Sequence, residues 1–475
     1  MSSNKCGLRR DIILLNKDKE GDTVKVTISF VPQKRMFNSR GLDSQPVQSI
    51  YLLGEILKKN DYDVTIIDPF FLEDLDITDS TEVEKRLLAN TEVLLLSINT
   101  FNWGNTRMLI ESAKKAQPDI PIVVGGIHAT FFDRYIMNNS PVDVVIRGEG
   151  EIRNALVLEK IFKRDWAGLK DIKGIAFRDD KGNIIRTADA IPLTLEEYNA
   201  FNADSPFRCL PKGVYNGIPC ETSRGCMYNC IFCGIDGHHS WRSLTVEKTI
   251  HKIEQSIEYV HNLTHNGFLT ITDDCFTSNK ERMIAVLDYL NRRPDNFQLV
   301  LEGRLNELQS PEVVASINPD RVRRFLVGVE CGYNEGLKKV RKGYTVDSLE
   351  RCLSNVKASG LNKMIYCSFI IALPWETEKE CIQTIRFAAK IMEKYEVQSN
   401  ISFWSIIPSE LWTTRAEYGI QLDETFFDNP LWFFHNENQM DDFRRIHPNL
   451  SEKGLIKVEK VLAMYRERGY KLTDN

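Results

Sequence analysis

The chain has 475 residues, about three times the size of an ordinary domain, so it requires at least two hydrophobic cores. A hydrophobic share of 42% and a charged share of 27% are those of an ordinary globular protein, and a net charge of -5 argues against a general grip on nucleic-acid backbones, which needs basic surface, while leaving room for a local basic patch. The longest apolar run, MIYCSFIIAL at 364–373, falls far short of the roughly 18 residues that span a bilayer, so no membrane partner is expected.

Residues 1–21 form an extension in which one short apolar run is followed at once by charges; this is neither a signal peptide nor a transit sequence, and the expected location is the cytoplasm. From 22 to 155, short β-rich runs alternate with amphipathic helical stretches, the pattern of a doubly wound, Rossmann-like parallel sheet. KVTISFV (25–31), DVTIID (63–68), EVLLLSI (92–98), PIVVGG (121–126) and DVVIRG (143–148) read as its strands, and VQSIYLLGEILKKN (47–60) as its first helix. Ligands of such sheets lie beyond the carboxyl ends of the strands. Here those ends carry Ser97 with Asn99, Gly125 with Gly126, and Gly148 with Glu149. Residues 156–212 are mixed in pattern and read as a bridge between domains, with DDKGN (179–183) as a hairpin turn.

A second α/β series occupies 213–410. Its strands are GIPCETS, GFLTITDD, QLVLEGR, RRFLVGVE, KMIYCSFIIA and SNISFWSII, separated by helical stretches such as 245–260 and 280–293. The economical fold is a partial (β/α)6 barrel of the TIM type. The remainder, 411–475, is a small extension that closes with a helix near 451–468. Trp404, Trp412, Trp432, Phe433 and Phe434 read either as core or as a lid over substrate.

Eleven cysteines is an odd count without secretory context, so clustered thiols point to a metal or redox site rather than to disulfides. Cys6, Cys209, Cys275, Cys331, Cys352, Cys367 and Cys381 stand singly and read as small buried hydrophobes. Cys226, Cys230 and Cys233 follow the first strand of the second series, at the end where barrel active sites sit. Three readings are open for them. They form one face of a helix, against which Gly225, Asn229 and Gly234 argue; they hold zinc with Cys220 or His238 as fourth ligand; or they hold a [4Fe-4S] cube with one iron left open to a substrate.

The segment CMYNCIFC (226–233), with Phe232 before the last cysteine, resembles the CxxxCxxC loop of the radical S-adenosylmethionine superfamily. In that family the open iron chelates the amino and carboxylate groups of S-adenosylmethionine and delivers the electron that breaks its carbon–sulfur bond. The resemblance implies that Asp273 and Asp274 in TITDDCF hold the methionine amine, that Arg304 in EGR is the polar residue of the third strand, and that Glu330 in VGVECG lies near the ribose. IIALPWET (370–377) is similar to a GxPGET turn, with Leu373 and Trp375 where glycines are common.

VVGGIHAT (123–130), together with LLSINT and DVVIRGEGE ahead of such a barrel, resembles the cobalamin-binding subgroup of the superfamily over about 22–410. It implies cobalamin beside Ser97, Gly125, Gly126 and Ile127. The family's histidine loop after the first strand is missing: VPQKRMFNSRGLDSQP has no histidine, and His128 lies in the glycine motif instead. Cobalt without a histidine beneath it favours moving a methyl group or cycling redox state. The expected function is C-methylation of an unactivated carbon in a natural product or peptide, with an electron donor such as flavodoxin or ferredoxin and no nucleic-acid partner. The alternatives are radical cyclisation, ring contraction or oxidation without methyl transfer, and, in another class, a cobalamin or redox sensor.

Overall fold

The computed structural model describes residues 24–32, 44–235, 240–263, 267–429 and 440–470. Chain contacts divide them into two units, one holding 24–32, 47–193 and 427–429, the other 44–46, 194–426 and 440–470.

The first unit is a seven-stranded sheet in the order β2-β1-β3-β4-β5-β6-β7. Strands β1 (Lys25–Ser29), β2 (Asp63–Ile67), β3 (Val93–Ser97), β4 (Ile122–Gly125) and β5 (Val144–Ile146) run parallel. Helices α1 (Gln48–Lys59), α2 (Trp103–Ala116), α3 (Ile127–Asn139) and α4 (Arg153–Phe162) alternate with them. All five strands are the runs expected from sequence. Their continuous apolar character follows from burial on both faces: every residue of β5 and Val93 to Leu96 of β3 are buried. Strand order reverses between β1 and β3, which makes a crevice at their carboxyl ends.

Residues 156–212 are not a bridge. The first unit runs to Leu193 and the second resumes at Thr194. The reason is the exposed edge that β5 would otherwise present. Strands β6 (Ile175–Arg178) and β7 (Ile184–Arg186) form an antiparallel hairpin that pairs along it. Its turn is the expected DDKGN: Asp179 Oδ1 accepts from the Lys181 and Asn183 amides at 2.9 and 2.8 Å, and Gly182 takes a φ of 80°. Buried Arg147, paired with Asp133 at 3.1 Å and with Asp189, pins the hairpin.

The second unit begins with β8 (Gly217–Cys220), followed by a two-stranded antiparallel ribbon of β9 (Ser223–Arg224) and β10 (Arg242–Ser243). Strands β11 (Phe268–Ile271), β12 (Gln298–Gly303), β13 (Val322–Glu330), β14 (Ile365–Ile371) and β15 (Gln398–Phe403) complete a six-stranded parallel sheet in the order β15-β14-β13-β12-β11-β8. Among the described residues β15 and β8 do not pair, so the barrel is partial, as expected. Along β14 the residues alternate with period two: Ile365, Cys367, Phe369 and Ile371 are buried, while Tyr366, Ser368 and Ile370 are half-open. The covering helices include α5 (Val246–Leu263), α6 (Lys280–Asn291), α7 (Val346–Ala358) and α8 (Glu378–Tyr395), and capping boxes at Thr345 and Thr377 start the last two.

The closing helix α9 (Glu452–Glu467) is tied to α8 by Lys457–Glu378 at 2.8 Å. Trp404 and Trp412 are buried and belong to the core; Trp432, Phe433 and Phe434 lie outside the described residues.

Candidate functional site

In the first unit, Ser97 ends β3 and is the register partner of Gly125, which ends β4. Ser97 Oγ lies 3.1 Å from Ser49 Oγ on α1. The two glycines differ in kind. Gly126 sits at φ 110°, ψ -175°, and a Cβ there would approach Ile98 O to 2.4 Å, so the fold itself requires glycine. At Gly125 an added Cβ would meet nothing nearer than 3.7 Å. A bare strand end that packing does not demand fits a ligand lying across the backbone.

Ile127 opens α3 behind these glycines, and Gly148, at φ 70°, donates its amide to Thr130 Oγ1 at 2.8 Å at the end of the neighbouring β5. Two expected residues are committed elsewhere. Asn99 Oδ1 accepts from the Phe101 and Asn102 amides at 3.0 and 2.9 Å, and the Glu149 carboxylate accepts from the Leu193 amide. They hold loops. His128 is wholly buried, with ring centroids of Trp103, Phe132 and Phe427 at 5.3, 4.7 and 5.7 Å, and burial drives its pKa down to about 3. It is a neutral core histidine.

In the second unit, residues 221–235 contain no helix and Gly225 takes a φ of 86°, so the helical-face reading of the three cysteines fails. Cys226, Cys230 and Cys233 form no disulfide and are half-buried. Cys220 is wholly buried with its thiol on Ser256 of α5, pushed up to about 11 by desolvation; His238 lies outside the described residues. Among the described residues no three His, Cys, Asp or Glu side chains converge on one metal ion. In a [4Fe-4S] cube each of the three thiolates would bond a different iron.

Each sulfur has a donor. Cys226 is held below the ordinary thiol range by the Cys275 thiol and by the Tyr228 amide, Arg304 Nη1 lies 3.8 Å from Cys230 Sγ, and the Ile235 amide faces Cys233, whose pKa burial nonetheless pushes up to about 11. The loop is shaped by Asp273, which is 1% exposed. Its carboxylate accepts from the Thr222 amide and from the Thr222 and Ser223 hydroxyls at 2.5, 2.7 and 2.6 Å, and faces buried Arg282 at 3.7 Å.

Two family profiles match the chain: the radical SAM superfamily over residues 220–388 and the B12 binding domain over residues 37–158. The chain carries a radical SAM domain and a B12-binding domain. An uncharacterized methyltransferase of Pyrococcus horikoshii is 27% identical over 364 residues, 74% of each chain. An anaerobic magnesium-protoporphyrin IX monomethyl ester cyclase of Rubrivivax gelatinosus is 23% identical over 72% of this chain and 61% of its own. The fold is similar to that of the cobalamin-dependent S-adenosylmethionine radical enzyme OxsB, solved with aqua-cobalamin and S-adenosylmethionine bound, at a TM-score of 0.63 and 20% identity, covering 84% of this chain and 56% of that one. A radical SAM domain implies a [4Fe-4S] cluster and S-adenosylmethionine, and a B12-binding domain implies cobalamin.

For this radical SAM barrel the structure sorts the expected ligands. Asp273 is sealed under the cysteine loop and is not open to a methionine amine. Asp274 and Glu302, which follow β11 and end β12, are exposed residues, yet both carboxyl groups are held above their usual range, by the protein around them first and by neighbouring acids second. Asp274 also accepts from the Gly225 amide at 2.7 Å. An ammonium group would relieve that crowding of negative charge. Glu330 is buried at a left-handed φ of 69° and pairs with Lys342 Nζ at 2.9 Å, so its carboxylate is already compensated. Phe232 is half-buried. Leu373 is buried and donates its amide to Glu376 at 3.0 Å, while Trp375 Nε1 lies 3.3 Å from Tyr333 Oη.

Sequence reading missed Tyr228, Cys275, Glu307 and Lys342. Tyr228 Oη donates to Glu307 at 2.8 Å across 79 residues of chain, a pairing with no local signal. Cys275 had one, its place in TDDCF directly after the second barrel strand.

Proposed function

We propose that this enzyme is a C-methyltransferase acting on an unactivated carbon of a small molecule or peptide. Cys226, Cys230 and Cys233 would hold the cluster, Asp274 with Glu302 the ammonium of S-adenosylmethionine, and Ser97, Gly125, Gly126, Ile127 and Gly148 the cobalamin. When bound, these groups supply a 5'-deoxyadenosyl radical for hydrogen abstraction and a transferable methyl group. The chain's own part is to leave one cluster corner without a thiolate, to orient the cysteine loop through Asp273, and to keep a bare backbone at Gly125. An external donor such as flavodoxin or ferredoxin would bring the electron.

Residues 30–46, the stretch after β1, contain no histidine, which suits methyl transfer and redox cycling alike, so the choice of methyl transfer is carried by kinship. The methyltransferase relative supports it. The cyclase relative supports a second reading, radical cyclisation without methyl transfer.

Anaerobic protein with dithionite and S-adenosylmethionine should release 5'-deoxyadenosine, and Cys230→Ala should abolish it. Equal release from both would remove the cluster assignment. With substrate in hand, a product heavier by one methylene unit supports methylation, whereas loss of hydrogen without that gain transfers the case to the cyclase reading. Catalytic turnover of deoxyadenosine excludes a sensor.

A further inference from the structure

Arg304 leaves β12 with its side chain buried, 6% exposed, and held from several sides. Nη2 donates to the Lys342 carbonyl, and the guanidinium carbon lies 3.6 Å from the centroid of the Tyr228 ring. That ring belongs to the cysteine loop itself, and its hydroxyl is fixed on Glu307 at 2.8 Å. Nη1 then stops 3.8 Å from Cys230 Sγ. A thiol and a backbone amide face Cys226, and a backbone amide faces Cys233. The nearby Lys342 ammonium is compensated by Glu330 at 2.9 Å.

We propose that Arg304 is a positioning residue for the cluster's electronics: a fixed cation, hydrogen-bonded to the Cys230 thiolate, that raises the potential at which the cluster accepts its electron. The inference rests on reading Cys226, Cys230 and Cys233 as cluster ligands. Reduction adds negative charge to a site already bearing three thiolates. A guanidinium, always protonated, stabilises the reduced form more than the oxidised one, and hydrogen bonds to cluster sulfurs are among the known determinants of potential. The cation–π contact and the Lys342 carbonyl keep the charge from swinging out to solvent.

The experiment is an EPR-monitored redox titration of the full chain, anaerobically reconstituted, beside iron and sulfide analysis. Arg304→Met should retain wild-type iron and sulfide while its midpoint shifts to lower potential, and Arg304→Lys should recover part of the shift. An unshifted midpoint in Arg304→Met overturns the proposal. Where Arg304→Met fails to hold iron, Arg304→Lys and Arg304→Gln decide: a higher midpoint for lysine supports a role for charge, and equal midpoints overturn it. Wild-type protein that takes up no iron and sulfide would sink the cluster reading itself, a separate outcome.

Discussion

Asp273 and Asp274 are adjacent in sequence and opposite in environment, and their substitutions should separate stability from binding. Asp273→Asn removes a buried charge that compensates Arg282 and turns an amide toward hydroxyl and amide donors. The expected cost is about 3–5 kcal/mol, read as a lower urea midpoint, with poor iron retention because the loop loses its keystone. Asp274→Asn keeps an acceptor for the Gly225 amide on an exposed residue, so the midpoint should move by less than about 0.5 kcal/mol, while S-adenosylmethionine binding by calorimetry weakens. His128 governs a pH effect. In the unfolded chain a histidine takes up a proton near pH 6.5, whereas in place it resists protonation down to about 3. Acid therefore favours unfolding, and the stability His128 contributes is complete above the unfolded value and lost as pH falls toward 3. Between pH 7 and 5 the loss is about 2 kcal/mol. His128→Phe should show a shallower decline of the urea midpoint over that range; an identical decline would contradict the buried neutral state.

At the scale of elements, the β4–α3 turn joins two requirements that one glycine could not meet. Gly126 supplies a backbone conformation and a close approach to Ile98, and Gly126→Ala should lower stability by about 1–3 kcal/mol from strain alone. Gly125→Ala should leave the thermal midpoint near wild type, since its Cβ has room, yet reduce the cobalamin retained after gel filtration. If both substitutions behave alike, the distinction between fold glycine and ligand glycine is lost. The β6–β7 hairpin works at the same scale. By pairing along β5 it closes an edge that would otherwise offer unpaired amides and carbonyls to other chains.

As a whole molecule the chain has two separately packed units, so a single unfolding transition is not expected. Scanning calorimetry should resolve two, and a ligand that binds one unit should raise that transition alone, by about 2.7 kcal/mol at a hundredfold excess over its Kd. Cobalamin should shift one transition, and S-adenosylmethionine, added to cluster-loaded protein, the other. Gly125→Ala should remove the cobalamin shift and spare that of S-adenosylmethionine. A cobalamin shift that survives Gly125→Ala in full would displace the ligand from the carboxyl edge of β4.

The amino-acid order by itself determined the five parallel strands of the first sheet and the six of the second. Apolar runs with helical stretches between them are local patterns, and burial on both faces leaves such runs no other stable home. It also determined the cysteine loop, because CxxxCxxC falls within eight consecutive residues. Only the tertiary structure decided what each polar residue does. Asp273 and Asp274 carry the same carboxyl group; the Thr222 and Ser223 donors that seal one of them come from about 50 residues away. Arg304 meets Cys230 across 74 residues, and the hairpin joins the first unit through an edge that exists only once β5 is in place. Hydrogen bonds and ion pairs of that range depend on how strands are laid side by side, and the local period of a sequence does not encode it.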